Sequence, residues 1–386
     1  MTELTPSQRA WRTFRHNKLA FAGLIFIALM ALASVLGYLI MPDSTPQANH
    51  MIIQLTVKKP GSKFTMLRIR KAEPVDTVNF IRKMLFGQPD FYHDVPITGY
   101  RFLKDSVYTD EYIGEEDKPE RKAYSIFEVR FGKSNGQPTT PLVVQSVRQE
   151  IQKEQIVTKH YLFGTDIYGR DLLSRLILGA RVSLSVGLMA VLISLFLGTL
   201  IGAMAGYFGG WIDNALSWLM NILWALPALL LVIAISFALG KGLWQIFIAV
   251  GLSMWVEVAR LVRGQVIALK NVEFVEAARA LGFTDARIIR KHILPNIFGP
   301  ILVVASSNFA SAILLEAGLS FLGFGAQPPT PTWGSMIKEH YGYIIMDSAF
   351  LAILPGLAIM LMVYAFNVVT VGLRDAFDMK NQTLRV

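Results

Sequence analysis

The chain has 386 residues, of which 53% are hydrophobic and only 17% charged, with a formal charge of +9 and no cysteine. Several uncharged apolar runs of about 20 residues exclude a purely soluble protein, and the missing cysteine excludes a disulfide framework or a thiolate metal site. The positive charge reads as the basic bias of cytoplasmic loops rather than a nucleic-acid surface, since no basic stripe is interleaved with exposed aromatics.

Residues 1–18 are polar and basic, with Arg9, Arg12, Arg15 and Lys18. Residues 19–41 follow without a charge and predict a first transmembrane helix. Ala31-Leu32-Ala33 resembles a signal-peptidase site, but the apolar run continues beyond it, which favours an uncleaved anchor. The basic flank puts the N-terminus in the cytoplasm. Residues 42–160 switch to dense charge of both signs and predict an inserted extracytoplasmic α+β domain. Within it Met51–Val57 and Tyr124–Phe131 have strand patterns, Pro74–Leu85 predicts an amphipathic helix, and Asp110–Lys122 a solvated charged loop. No G-x-x-x-x-G-K-[ST] run occurs, so no nucleotide loop is predicted.

Residues 161–181 form a polar, glycine-punctuated amphipathic lead-in carrying Asp166, Arg170, Asp171, Arg175 and Arg181. A five-helix core over 182–373 follows. Its predicted spans are Val182–Tyr207, Ala215–Leu239 with a kink at Pro227, Leu243–Val262, Ile297–Gly323 and Ala349–Leu373. Gly198, Gly202 and Gly206 share one helix face and predict close helix packing. Glu257 and Arg260 share a face and can pair or snorkel, while Asn221, Asn308 and Asn367 can bond across helices. The prolines of the external loop Phe324–Ser348 forbid regular helix and impose extended geometry. The basic tail 374–386, with Arg374, Lys380 and Arg385, returns inside. The fold class is an all-α polytopic membrane protein of six transmembrane helices, both termini cytoplasmic, with an inserted α+β domain.

The most polar stretch of the C-terminal half lies in the basic inner loop 263–296. It is Glu273–Pro295, a charged helix–Gly–helix hairpin that predicts a docking element for a soluble partner. Gly282 reads as its hinge, because glycine alone takes positive φ without steric cost. Ala277 and Ala278 read as small residues permitting close approach, and Glu276 as the polar anchor. Glu316 is the chief intramembrane carboxylate. Its position near the far end of its helix leaves a capping role and a pathway role both open. No buried carboxylate chain suggests proton coupling. Neither G-x-S-x-G nor H-E-x-x-H is present, so no enzyme is predicted, and six scattered histidines without ligand spacing predict no metal.

Glu276-Ala277-Ala278, Gly282 and Leu294-Pro295 resemble the EAA loop of bacterial-type ABC importer permeases. GTDIYGRDLLSRLILGARVSL at 164–184 and LSFLGFGAQPPTPTWGSMI at 319–337 resemble the C-type subunit of the dipeptide/oligopeptide group. SQRAWRTFRHNKLAFAGL at 7–24 and GLRDAFDMKN at 372–381 are similar to that group's two ends. The resemblance covers roughly 7–41 and 161–381. It implies an ABC importer permease-type fold, a homologous second permease, two ATP-binding cassette ATPase subunits seated on EAA loops, and an extracytoplasmic solute-binding protein. ATP and Mg would bind those ATPases, and no cofactor this chain. Asp166, Arg170, Glu316 and Trp333 are candidates for the pathway or outer gate. His292 stands where the broad pattern has an apolar residue, although the peptide group commonly has His there. Residues 42–160 depart from the family's usual short connection. They predict a cap that contacts the binding protein or second permease, or else a spacer. Two other readings stay open: another small solute, such as a nickel complex or opine, and a membrane-anchored binding or sensing domain.

Overall fold

The computed structural model describes residues 6–115, 117–133, 140–240 and 242–377; Lys380 and Arg385 of the basic tail lie outside them. The chain divides into two compact units. One comprises residues 1–32, 180–339 and 352–386; the other comprises 33–179 and 340–351.

The first unit is helical. The basic N-terminal segment folds as α1 (Pro6–His16), followed by α2 (Lys18–Ile40). Ala10 and Phe14 of α1 are buried with Ala20 of α2, while its arginines stay outside, as amphipathic spacing requires.

The helices α6 (Leu172–Phe208), α7 (Gly210–Ala225), α8 (Ala228–Leu239) and α9 (Leu243–Leu269) come next along the core. The hairpin helices α10 (Glu273–Ala280) and α11 (Asp285–Ile288) lead to α12 (Phe298–Phe321), α13 (Trp333–His340) and α14 (Phe350–Phe377). Among the described residues α2, α6, α9, the stretch Asp285–Phe321 and α14 are each long and apolar enough to span a bilayer. The pair α7 and α8 makes a sixth crossing only if its halves are taken together, because they are bent by 98°. The predicted kink at Pro227 is therefore a full break. Proline lacks an N–H and drives the preceding residue extended, and Leu226 is extended at ψ 134.

Two further expectations are corrected. Helix α6 starts at Leu172, so the predicted lead-in is half loop and half helix. The proline-rich external loop contains a regular helix, α13. Its last proline, Pro331, precedes Thr332, whose hydroxyl accepts from Ser335 N at 3.0 Å while Ser335 Oγ accepts from Thr332 N at 3.0 Å. This reciprocal cap opens a helix directly after the prolines.

The glycine face of α6 does what its spacing predicts. A Cβ on Gly198 would lie 2.6 Å from Trp255 O, one on Gly202 2.4 Å from Ala259 O, and one on Gly206 2.7 Å from Arg263 O. Helices α6 and α9 thus touch backbone to backbone over two turns.

The second unit holds a five-stranded antiparallel sheet of order β4-β3-β2-β1-β5, formed by β1 (Ser62–Arg70), β2 (Tyr92–Leu103), β3 (Ser106–Glu111), β4 (Glu120–Ser125) and β5 (Ile156–Tyr161). Strand alternation sends adjacent β1 residues to opposite faces. Leu67 packs against α4 (Ile126–Phe131) and α5 (Pro141–Glu150), while Met66 packs beneath Ile52 and Leu55.

Three local expectations fail here. Met51–Val57 is a turn around Ile53–Leu55, with Val57 at φ +53, rather than a strand. Tyr124–Phe131 leaves the sheet at Ser125 and becomes α4, burying Ile126, Phe127 and Val129 at helical spacing. The helix predicted at Pro74–Leu85 begins only at Phe80 and forms α3 (Phe80–Phe86), since Val78 N is held by Gln88 Oε1 at 3.2 Å. The charged stretch Asp110–Lys122 is the connection between β3 and β4, as predicted, with only Asp110, Glu111 and Glu120–Lys122 among its described residues in strand; those strand ends are crossed by Arg121–Asp110 at 3.1 Å and Lys122–Glu111 at 3.0 Å.

The glycine contacts generate a stability prediction. Gly202→Ala should destabilise the chain by about 1–3 kcal/mol through overpacking. Gly264→Ala on α9, where no atom lies within 4 Å of the added Cβ, should not. Thermal unfolding in detergent, followed by tryptophan fluorescence, compares the two.

Candidate functional site

The hairpin between α9 and α12 has two faces of different character. Toward the bundle, Val275 and Ala278 of α10 are buried with Ile288, Ile293 and Ile297, against Val258, Val262 and Val266 of α9 and Ala203 and Tyr207 of α6. Toward the outside, Glu276, Ala277, Arg279 and Leu281 are exposed. The two alanines therefore differ: Ala278 seats the hairpin on its own bundle, and only Ala277 faces outward. Gly282 takes φ +77 with no atom within 4 Å of an added Cβ, so conformation, not crowding in this chain, demands glycine there.

The second arm is braced internally. The Phe283 ring stacks with His292 at 5.7 Å and carries the Arg287 guanidinium at 4.1 Å. His292 is half-buried in this stack, and its carbonyl accepts from Asn296 Nδ2 at 2.6 Å. Leu294 is half-buried and Pro295 exposed at the short turn that leads into α12. Tyr207 donates its hydroxyl to Asp285 at 2.7 Å, tying the end of α6 to the start of α11. Arg263 grips Asp213 at 2.5 and 2.7 Å, joining the base of α9 to α7. Neither clasp is predicted by local pattern, because the partners are 78 and 50 residues apart. Arg260 bonds Asn221 at 2.8 Å and stacks over Trp224, so Glu257 is not its partner.

The GTDIYGRD block forms a tight knot. Asp166 Oδ2 lies 2.6 Å from Arg170 Nε and 3.5 Å from Arg175 Nε, and its Oδ1 accepts from the backbone N of Tyr168 and Arg170. All three charged side chains are buried. Gly169 makes this possible, since a Cβ there would strike Ile52 O at 1.8 Å. Asp171 caps α6 by accepting from Ser174 N at 2.8 Å and Ser174 Oγ at 2.5 Å. Burial pushes the Asp171 carboxyl above the usual range, against the Ser174 hydrogen bonds that lower it.

Glu316 and Trp333 are wholly enclosed in the helical unit. Glu316 accepts from Ser183 Oγ at 2.8 Å and Ser320 Oγ at 2.7 Å, linking α12 to α6. At Gly334 an added Cβ would lie 2.4 Å from Ala317 O, so α13 rests directly on α12 beside Trp333. Asn308 is buried in α12 with neither amide atom hydrogen-bonded among the described residues, contrary to the expected cross-helix bond. Asn221 does make one, and Asn367 faces outward.

This architecture of apolar spans with one exposed polar hairpin is that of a membrane permease subunit. Residues 198–382 match the family model "Binding-protein-dependent transport system inner membrane component", and residues 5–55 match "N-terminal TM domain of oligopeptide transport permease C". The dipeptide transport system permease protein DppC of Alkalihalophilus pseudofirmus is 46% identical over 56% of this chain and 71% of its own length. The glutathione transport system permease protein GsiD of Pectobacterium atrosepticum is 42% identical over 57% and 73%. The oligopeptide transport system permease protein OppC of Haemophilus influenzae is 42% identical over 58% and 71%. The chain belongs to the family of inner-membrane permease components of binding-protein-dependent ABC importers, in the group of the DppC and OppC permeases. It is thus a multi-pass inner-membrane protein.

The buried charges generate a prediction. Asp166→Ala leaves Arg170 and Arg175 buried without their carboxylate, a loss of about 3–5 kcal/mol for a broken buried pair. Asp166→Asn, which keeps hydrogen-bond acceptance, should lose less. Membrane-inserted yield and thermal midpoint measure both.

Proposed function

We propose that this chain forms half of an ATP-driven translocation pathway for di- or oligopeptides, and that ATPase subunits drive it through the Glu273–Pro295 hairpin. The observation that carries this reading is the hairpin's division of labour: its inner face is consumed by the bundle core, and its outer face is left open. Leu281 at the tip is 74% exposed beside Glu276 and Ala277, an apolar anchor with a polar rim. The bare Gly282 lets a partner approach the backbone closely.

In this reading a homologous second permease completes the pathway, and each permease seats its hairpin in one of two ATP-binding cassette ATPases. ATP and Mg bind those ATPases and not this chain. Closure of the ATPases moves the hairpins and turns the pathway from inward-open to outward-open. An extracytoplasmic solute-binding protein delivers the cargo. Both termini are cytoplasmic and residues 42–181 extracytoplasmic, in keeping with the bases around the hairpin: Arg263, Lys270, Arg287, Arg290 and Lys291. The names of the peptide and glutathione permeases among the relatives support a peptide cargo over a nickel complex or an opine.

The test is made on the reconstituted importer. Leu281→Ser and Glu276→Ala should each reduce ATPase co-purification and dipeptide uptake by about tenfold, the scale of losing ~1.4 kcal/mol of docking energy. Leu142→Ser, an equally exposed leucine of the α+β unit, should leave both unchanged. Full uptake by the hairpin variants overturns the docking role. Competition by unlabelled dipeptide, glutathione or a nickel chelate assigns the cargo.

A further inference from the structure

Helix α3 has no buried residue at all. Phe80, Ile81 and Phe86 are 67%, 66% and 65% exposed, and Leu85 is exposed beside them. At about 100° per residue, Phe80, Ile81, Met84 and Leu85 fall on one arc, with Arg82 and Lys83 on its flanks. Two turns of helix are marginal by themselves in water. Exposing Phe80, Ile81 and Leu85 together on one arc marks a surface meant to be covered.

The point at which α3 is tied identifies the cover. Gly87, at φ +82, ends the helix in contact with α2: an added Cβ would lie 2.8 Å from the Tyr38 ring and 2.7 Å from Ser44 O. Gln88 N donates to Ser44 O at 2.9 Å. Gln88 also holds the entry to α3, donating to Asp76 O at 3.1 Å and accepting from Val78 N. Tyr38 belongs to the last turn of the Lys18–Ile40 span, and Ser44 follows just beyond its end. The C-terminal end of α3 is therefore fastened beside the end of the Lys18–Ile40 span, and Gln88 ties the entry of α3 to the same point.

We infer that α3 is an interfacial helix that seats the inserted domain on the bilayer. Its apolar arc enters the headgroup–acyl boundary, and Arg82 and Lys83 lie against lipid phosphates. The amphipathic arc supplies the affinity for lipid, and the tether at Tyr38 and Ser44 supplies the depth. Neither depends on which face of the membrane carries the domain, nor on the cargo.

The absence of native cysteine makes a depth measurement direct. Nitroxide labels on I81C and L85C, and on K118C as an exposed control in the same domain, are read in the full importer. The importer is held in phosphatidylethanolamine–phosphatidylglycerol nanodiscs. The ratio of oxygen to nickel-chelate accessibility should be several-fold higher at 81 and 85 than at 118. An equal ratio at all three sites overturns the proposal. Protection of 81 and 85 from both reagents also overturns it, because that is the mark of a protein neighbour such as the second permease or the binding protein. R82E/K83E on the I81C background should lower the ratio at 81, and an unchanged ratio removes the phosphate contacts.

Discussion

The backbone contact between α6 and α9 is the constraint on which the helical unit rests. Lipid offers no hydrophobic driving force between helices, so close packing must supply the adhesion. Gly198, Gly202 and Gly206 provide it by bringing carbonyls of Trp255, Ala259 and Arg263 within reach of where a methyl would stand. Everything further inward is built on that contact. Val258, Val262 and Val266 of α9, with Ala203 and Tyr207 of α6, form the platform that receives the hairpin. A shift of either helix would move the platform, and the hairpin with it.

Charge inside this protein is mostly spent on holding shape. Asp166 is met by Arg170, by Arg175 at 3.5 Å and by amides of its own loop, and Glu316 is met by hydroxyls from two helices. A buried ion pair is weak evidence for stability, yet strong evidence that neither partner can be removed alone. That is a different requirement from a pathway lining, where charge must stay available to a moving solute. The GTDIYGRD block accordingly acts as a structural knot: Gly169 admits the Ile52 backbone and Asp171 caps α6.

What could be read in the sequence was whatever depends on local period. Apolar runs marked the long spans, and the every-fourth-residue glycines marked a helix contact, because both are properties of one segment. The hairpin's bounds were visible from its polarity against apolar neighbours. Features decided by distant partners were not visible. Ile126–Phe131 has strand-like composition but turns helical because its apolar residues must reach the face of a sheet they have just left. Pro227 showed that something bends, but not that the bend would reach 98°. Phe283 gave no sign of its contacts with His292 and Arg287, which bring the ring of His292, a docking candidate by resemblance, against the hairpin's own second arm.

On the proposed function the hairpin is a transmitting element, and its asymmetry is what that role requires. Force applied at its tip reaches the bundle only if the inner face yields less than the contact that delivers the force. Here the inner face is a closed apolar core, reinforced by Tyr207–Asp285 and by the contacts of Phe283 with His292 and Arg287. Arg263–Asp213 adds α7 to the same base. The outer face needs the opposite property, a few exposed anchors on a backbone left bare. Leu281, Glu276 and Gly282 have it. Hence Ala278, not Ala277, is the alanine on which rigidity depends: enlarging it would lift the hairpin off its own platform, whereas enlarging Ala277 would alter only the surface offered to a partner.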